Sequence, residues 1–360
     1  MRKHYVDNLR WIATFLLIPY HAAMAWNVWG EPNYIFIESN KTISSIVVFF
    51  SPYFMPLLFL LAGISTRFSL NKRTNKEYIS ERAKRLLVPF LSGTLLFMPI
   101  MTFIAEKFNY TYNGSFFQHY LIFFTKFTDL TGADGGFSLG QFWFLLYLFI
   151  ISIISVGIIK LHRKNTPECI KAVPLWLICT LGLPLPLLHN ILSIGGKSIA
   201  EYTYIFIIGY YVFSDDSVVS KSEKYKWLFL SVGLTATFLN VYLFIWSDLK
   251  FPLLNTSAKF ISEWFMLISL IGTGKKYLEF NGKISRYMSH ISFSFYSLHF
   301  IWVVFFQSSA YGIFSNNPLL LYTFSVVLSY ITTFICCEIC IRIPFLRFLT
   351  GTKIIYNNKF

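Results

Sequence analysis

Charge is what this sequence has least of. Of its 360 residues, 17 are acidic and 31 basic, so 13% are charged, against about 25% in an average soluble domain. That shortage excludes an ordinary soluble chain. The signatures of several enzyme and transport classes are missing too: there is no Walker loop, dinucleotide fingerprint, H-E-x-x-H pair or G-x-S-x-G elbow. Energy-coupled transport and hydrolysis by those routes therefore lose their support. The five cysteines are Cys169, Cys179 and the run Cys336, Cys337 and Cys340. No histidine follows "CCEIC" at zinc-site spacing, so apolar packing or a modified juxtamembrane thiol is the expected role, and no metal is expected. Tandem repeats, low-complexity tracts and interdomain linkers are also lacking, and residues 1–360 read as a single transmembrane domain.

What fills the chain is apolar: 55% of it is hydrophobic and 20% aromatic. Apolar windows of roughly 20 residues are the transmembrane signal, and about ten occur, near 9–29, 43–66, 86–106, 139–159, 172–188, 199–213, 227–246, 259–273, 291–311 and 318–341. The first is interrupted by Pro19 and His21 and has no small-residue cleavage site, so it reads as helix one and not as a signal peptide. The expected fold is an all-α polytopic integral membrane protein with about 10 transmembrane helices, multi-pass in the cell membrane. With both termini cytoplasmic, 25 of the 31 Lys and Arg fall in inner segments, the asymmetry of the positive-inside rule. The formal charge of +14 therefore faces the lipid bilayer, and no nucleic acid is expected as a partner.

The densest basic segment is "RFSLNKRTNKEYISERAKRLLVP" at 67–89. Lys72, Arg73 and Lys76 serve topology. Arg67, Arg82 and Arg85 stand where helices enter or leave the bilayer, where a guanidinium forks onto phosphate while its helix holds it. The longest outer connection, about 107–138, interleaves Tyr and Phe with Gly, Asn and Asp; it suits carbohydrate stacking and equally an interfacial hairpin on lipid. Pro19, Pro52, Pro56, Gly63, Pro89 and Pro99 fall inside spans, and broken spans suggest a cavity.

Ionisable groups inside the membrane are functional candidates by default. Asp7, Arg10 and His21 come first. On an unbroken helix the eleven-residue step from Arg10 to His21 makes about three turns plus 20°, so they share one face at different depths, with Asp7 three residues before Arg10 and able to pair with it. Arg10 at the inner rim can meet phosphate. An imidazole away from water favours its neutral form, which suits a general base. Taken singly, the ordinary readings are an anchoring arginine and a packing histidine. His299, with Tyr296 one turn before it in "SFSFYSLHFIW", sits at a depth like that of His21, and two such histidines can line one cavity. Gln141, Trp143 and Tyr147 offer polar tips at the outer end of helix four, most simply as an interfacial belt. Glu338 and Arg342 form an i, i+4 pair with a structural reading.

Six stretches, in this order, cover nearly the whole chain: "YVDNLRWIATFLLIPYHAAMAWN", "FMPLLFLLAGIST" followed by Arg67, "RAKRLLVPFL", "FWFLLYL", "ISFSFYSLHFIW" and "EICIRIPFLRFLTGTK". Together they resemble the acyltransferase 3 family of membrane O-acyltransferases, and most closely its glucan biosynthesis protein C branch. The resemblance implies transfer of an acyl group from cytoplasmic acyl-CoA, a co-substrate and not a bound cofactor, to a hydroxyl of a carbohydrate or glucan. It carries the family's essential histidine onto His21, its paired arginine onto Arg10, and an arginine after helix two onto Arg67. Asp7 joins this catalytic group. Arg82, Arg85, Tyr296, His299 and Trp143 are the remaining candidate substrate-binding residues. Members commonly have a histidine before the Trp-Phe-Leu of helix four; Gln141 and Phe142 stand there instead. The branch suggests succinyl as the donor group, while acetyl is commoner across the family. The rival reading is a transporter or flippase of a glycan or lipid-linked sugar, and a sensor or scaffold is a third.

Overall fold

The computed structural model describes residues 3–165 and 173–352, so Cys169 and the final lysine of "TGTK" lie outside the described residues. In chain order the elements are α1 (His4–Phe15), α2 (Leu17–Ala23), α3 (Lys41–Leu70), α4 (Asn75–Tyr110), α5 (Phe116–Thr125), α6 (Trp143–Asn165), α7 (Leu175–Leu188), β1 (Ser193–Ile194) and β2 (Lys197–Ser198). They continue as α8 (Ile199–Tyr211), α9 (Asp216–Lys224), α10 (Lys226–Trp246), α11 (Pro252–Tyr277), α12 (Lys283–Phe314), α13 (Pro318–Arg342) and α14 (Pro344–Leu349). The two short strands pair antiparallel, Ser193 opposite Ser198, around Gly195 and Gly196, whose φ values of 57° and 72° close the turn.

Among the described residues, six helical segments are long and apolar enough to cross a membrane: Lys41–Leu70, Asn75–Tyr110, Gly140–His162, Lys226–Trp246, Lys283–Phe314 and Pro318–Arg342. The remaining expected spans take other forms. Leu175–Leu188 is short, α8 has 13 residues, and α11 carries Lys259 and Glu263 along its length. The continuous helix expected over 9–29 is corrected: α1 ends at Phe15, α2 begins at Leu17, and a 3-10 turn spans Met24–Trp26. Pro19 has no N–H to return to the carbonyl of Phe15, so the regular ladder fails there. The spacing argument that put Arg10 and His21 on one helical face no longer applies.

The chain forms two compact units. The first comprises Met1–Ala13, Val48–Arg82 and Tyr147–Ser285. Its closest packing is between α3 and α8, where a Cβ on Gly63 would stand 2.0 Å from the carbonyl oxygen of Phe206 and one on Gly209 would stand 2.4 Å from that of Leu60. Only glycine allows these backbones so near. Buried Asn8 fastens α1 to the end of α11 by donating to the carbonyls of Leu278 (2.7 Å) and Phe280 (2.9 Å). Near the strands, His189 Nδ1 lies 2.5 Å from Glu201 Oε2, and Lys259 Nζ lies 3.1 Å from His189 Nε2.

The second unit comprises Thr14–Val47, Ala83–Leu146 and Arg286–Phe360. In α4 the prolines each follow a π turn: Ala83–Leu87 precedes Pro89 and Gly93–Phe97 precedes Pro99. The wider turns let the helix run on past residues that cannot donate. Gly93 admits the ring of Phe142, which a Cβ would overlap at 2.2 Å. Thr111, at φ 53°, ends α4, and Ser115 with Gln118 forms a capping box that starts α5. The connection from Lys126 to Gly140 folds back on the chain: Asn109 Nδ2 donates to the carbonyls of Ala133 (2.9 Å) and Tyr34 (3.1 Å).

Candidate active site

In the first unit the end of α3 gathers arginines. Arg10 Nη2 donates to Ser65 Oγ at 2.8 Å while Nη1 meets Asp7 Oδ1 at 3.0 Å, so the i, i+3 pair expected from sequence forms. One residue along α3, Thr66 Oγ1 lies 2.8 Å from Tyr78 Oη, and both hydroxyls accept from Arg82, at 3.2 and 2.9 Å. The next residue, Arg67, donates to Tyr210 Oη at 3.3 Å with its guanidinium 5.2 Å from that ring's centroid. Three consecutive residues, Ser65, Thr66 and Arg67, thus bring together three of the candidate guanidinium groups. Tyr78 and Tyr210 stand on a small apolar core with Leu70, Val156 and Ile159 that keeps them in place. Arg10 keeps about a third of its side chain exposed (35%), enough to present a positive fork to an anion. Arg85 belongs to the second unit, on the π turn Ala83–Leu87.

The second unit holds both candidate histidines. The rings of His21, on α2, and His299, on α12, are 5.3 Å apart centre to centre and inclined by 35°. His21 stacks on Phe300 at 4.0 Å and 21°, with Tyr20 against its edge. His299 is wholly buried. Its Nδ1 faces the carbonyl oxygens of Tyr296 (2.8 Å) and Phe295 (3.2 Å). Carbonyls only accept, so Nδ1 carries the hydrogen and Nε2 presents a lone pair. That Nε2 is buried and has no hydrogen-bond partner among the described residues. A neutral imidazole locked in one tautomer with its acceptor nitrogen open can take a proton, or a hydrogen bond, from a hydroxyl.

The hydroxyl of Tyr296 donates to the backbone carbonyl of Gln141, and the carbonyl of Tyr296 orients His299. Gln141 donates from Nε2 to Ser297 O at 3.3 Å, and its Oε1 is buried with no partner among the described residues. Trp143 opens α6 partly buried, and its neighbour Phe144 packs on Tyr296 at 5.8 Å. On the other side of Phe300, Tyr34 meets that ring edge-on at 5.3 Å and shares a 2.8 Å hydrogen bond with Ser138. The aromatic connection contributes a buried chain that sequence reading missed: His119 sits between Glu106 Oε2 (2.8 Å) and Thr102 Oγ1 (3.0 Å), tying α5 to α4. The expected Glu338–Arg342 pair forms at 3.2 Å on an exposed face. Among the described residues no group of three or more His, Cys, Asp and Glu could hold a metal ion.

A family model, acyltransferase 3, described as an acyltransferase domain, matches residues 3–338. The chain belongs to the acyltransferase 3 family. No curated protein and no solved structure matches it. Family membership decides for the transferase against the transporter and the scaffold: this is a multi-pass membrane O-acyltransferase, of the kind that acylates a carbohydrate hydroxyl. An acyltransferase of this kind needs a group to receive the proton of the acceptor hydroxyl and a place to hold its acyl donor. The described geometry offers candidates for each, the histidine pair in one unit and the arginine cluster in the other.

Proposed function

We propose that this acyltransferase moves an acetyl or succinyl group from cytoplasmic acyl-CoA to a hydroxyl of a cell-envelope carbohydrate or glucan, with residues 1–360 acting as one domain in the cell membrane and both termini cytoplasmic. No cofactor is needed beyond that co-substrate. Arg10, oriented by Asp7, together with Arg67 and Arg82, binds the coenzyme phosphates; Arg85, in the second unit, is a further substrate-binding residue. His21 is the general base. It takes the proton of the acceptor hydroxyl as that oxygen bonds to the thioester carbonyl carbon; the C–S bond then breaks, and the imidazolium returns the proton to the leaving sulfur, giving ester and free thiol. His299 accepts a hydrogen bond from the acceptor through Nε2, Tyr296 holds His299 in the required tautomer, and Trp143 lines the acceptor side.

The observation that carries this reading is the pair of adjacent imidazoles, 5.3 Å apart and inclined by 35°, one of them with a buried nitrogen that has no partner among the described residues. A buried acceptor without a donor costs about 1–3 kcal/mol, a cost that a hydroxyl ligand removes. The test is transfer of labelled acyl from acyl-CoA to membrane carbohydrate. His21→Ala, expressed at the normal level, is expected to lose transfer by roughly two to four orders of magnitude, the usual contribution of general-base catalysis; transfer at the parental rate rejects His21 as the base.

A further inference from the structure

The segment that carries His21 is a helix with a fault in it, and three side chains from α12 and α13 repair that fault. Pro19 cannot donate to the carbonyl of Phe15, and Tyr330 supplies the missing donor, its hydroxyl lying 2.8 Å from Phe15 O. Tyr322 donates to the carbonyl of Pro19 itself at 3.2 Å. Where α2 gives way to the 3-10 turn, the carbonyl of Ala22 accepts from Gln307 Nε2 at 2.8 Å. The accepting carbonyls belong to residues 15, 19 and 22, which bracket His21.

Gln307 has the most direct relation to the histidine. It is buried, with 1% of its surface exposed, in an apolar helix where an amide is retained only if its donors are used. It lies seven residues beyond Phe300, close to two full turns, so the two project from the same face of α12. That face therefore touches the His21 segment at two points: Phe300 stacks on the imidazole at 4.0 Å and Gln307 holds the next residue's carbonyl. One contact sets the plane of the ring; the other sets the backbone from which the ring extends.

We propose that Gln307 is a positioning residue for acyl transfer, acting through His21, with Tyr330 and Tyr322 as its supports. The inference rests on His21 being the base. An amide-to-carbonyl bond at Ala22 holds the imidazole within the few tenths of an ångström that proton transfer demands, and a displacement of about 1 Å costs on the order of a hundredfold in rate.

The test uses the full-length enzyme in its membrane, with acetyl-CoA and succinyl-CoA as donors and the endogenous carbohydrate as acceptor. Gln307→Met keeps the length of the side chain and removes the donor. It is expected to lower kcat roughly 10–100-fold with the donor KM held within about twofold, and to move the acid limb of the kcat–pH profile, because the defect lies in the base and not in donor binding. Tyr330→Phe should act in the same direction with a smaller loss. His21→Ala is measured beside them. Inactive His21→Ala with a parental kcat and pH profile for Gln307→Met overturns the positioning role alone. An active His21→Ala overturns the base assignment and the positioning role with it. A loss in Gln307→Met that vanishes when rates are divided by the folded enzyme, counted by its thermal transition, also rejects the proposal.

Discussion

The two candidate regions solve opposite problems. The arginine cluster of the first unit is polar and hydrogen-bonded: Arg10, Arg67 and Arg82 have partners in Asp7, Ser65, Thr66, Tyr78 and Tyr210, and Arg10 remains about one-third exposed. The histidine region of the second unit is lined by aromatic rings and polar atoms left open: rings stack on both imidazoles, and among the described residues Nε2 of His299 and Oε1 of Gln141 are buried without partners. Charge near water needs only loose orientation, because Coulomb attraction is long-ranged and many geometries serve. Proton transfer needs exact placement of one nitrogen, and that placement is bought with buried rings and backbone bonds. A region that binds anions can therefore lie at a helix end, whereas a region that moves protons has to be built from packed interior elements.

Perturbing the histidine region should give the larger effects. Beyond the loss expected for His21→Ala, His299→Ala should lower kcat/KM for the carbohydrate roughly 10–100-fold while the donor KM stays put, measured with labelled donor at varied acceptor. If the donor KM moves instead, the division of labour between the two regions collapses. Next come the arginines. Arg10→Ala, Arg67→Ala and Arg82→Ala should each raise the donor KM by about tenfold, the worth of one charged hydrogen bond, with kcat little changed. Raising ionic strength should mimic these variants, since salt screens partly exposed charges. A salt-insensitive donor KM would remove the cluster from donor binding. The smallest effect belongs to neither region: Glu338→Gln breaks the exposed pair with Arg342 and should change stability by less than about 1 kcal/mol, read from thermal unfolding in detergent. A large change there would show that ion pairing matters outside the arginine cluster as much as within it.

Much of this was legible in the residues themselves. The apolar windows at 43–66, 86–106, 139–159, 227–246, 291–311 and 318–341 all lie in long apolar helical segments, because hydrophobic runs of that length have few other stable forms. The Asp7–Arg10 and Glu338–Arg342 pairs were readable from i, i+3 and i, i+4 spacing and are present. What failed was the single first helix. Pro19 marks the break in the sequence, but where the chain goes after it is set by packing, so an ideal helix does not place Arg10 and His21. Gln307 carried a faint signal, a lone amide inside an apolar run, and nothing in its neighbours pointed to residue 22. Thr66 and Tyr78 gave none, since each is unremarkable until its hydroxyl is seen to accept from Arg82.

The sequence by itself determined the solvent this protein lives in and which ionisable residues stand within or beside apolar runs. Those properties follow from composition and local period, which no partner element alters. Tertiary structure alone decided that His21 meets His299, that His299 keeps Nε2 open, and that the broken helix is refastened by Tyr330, 315 positions along the chain from Phe15. A carbonyl freed by proline has to find a donor wherever packing provides one, and that choice is a property of the folded whole.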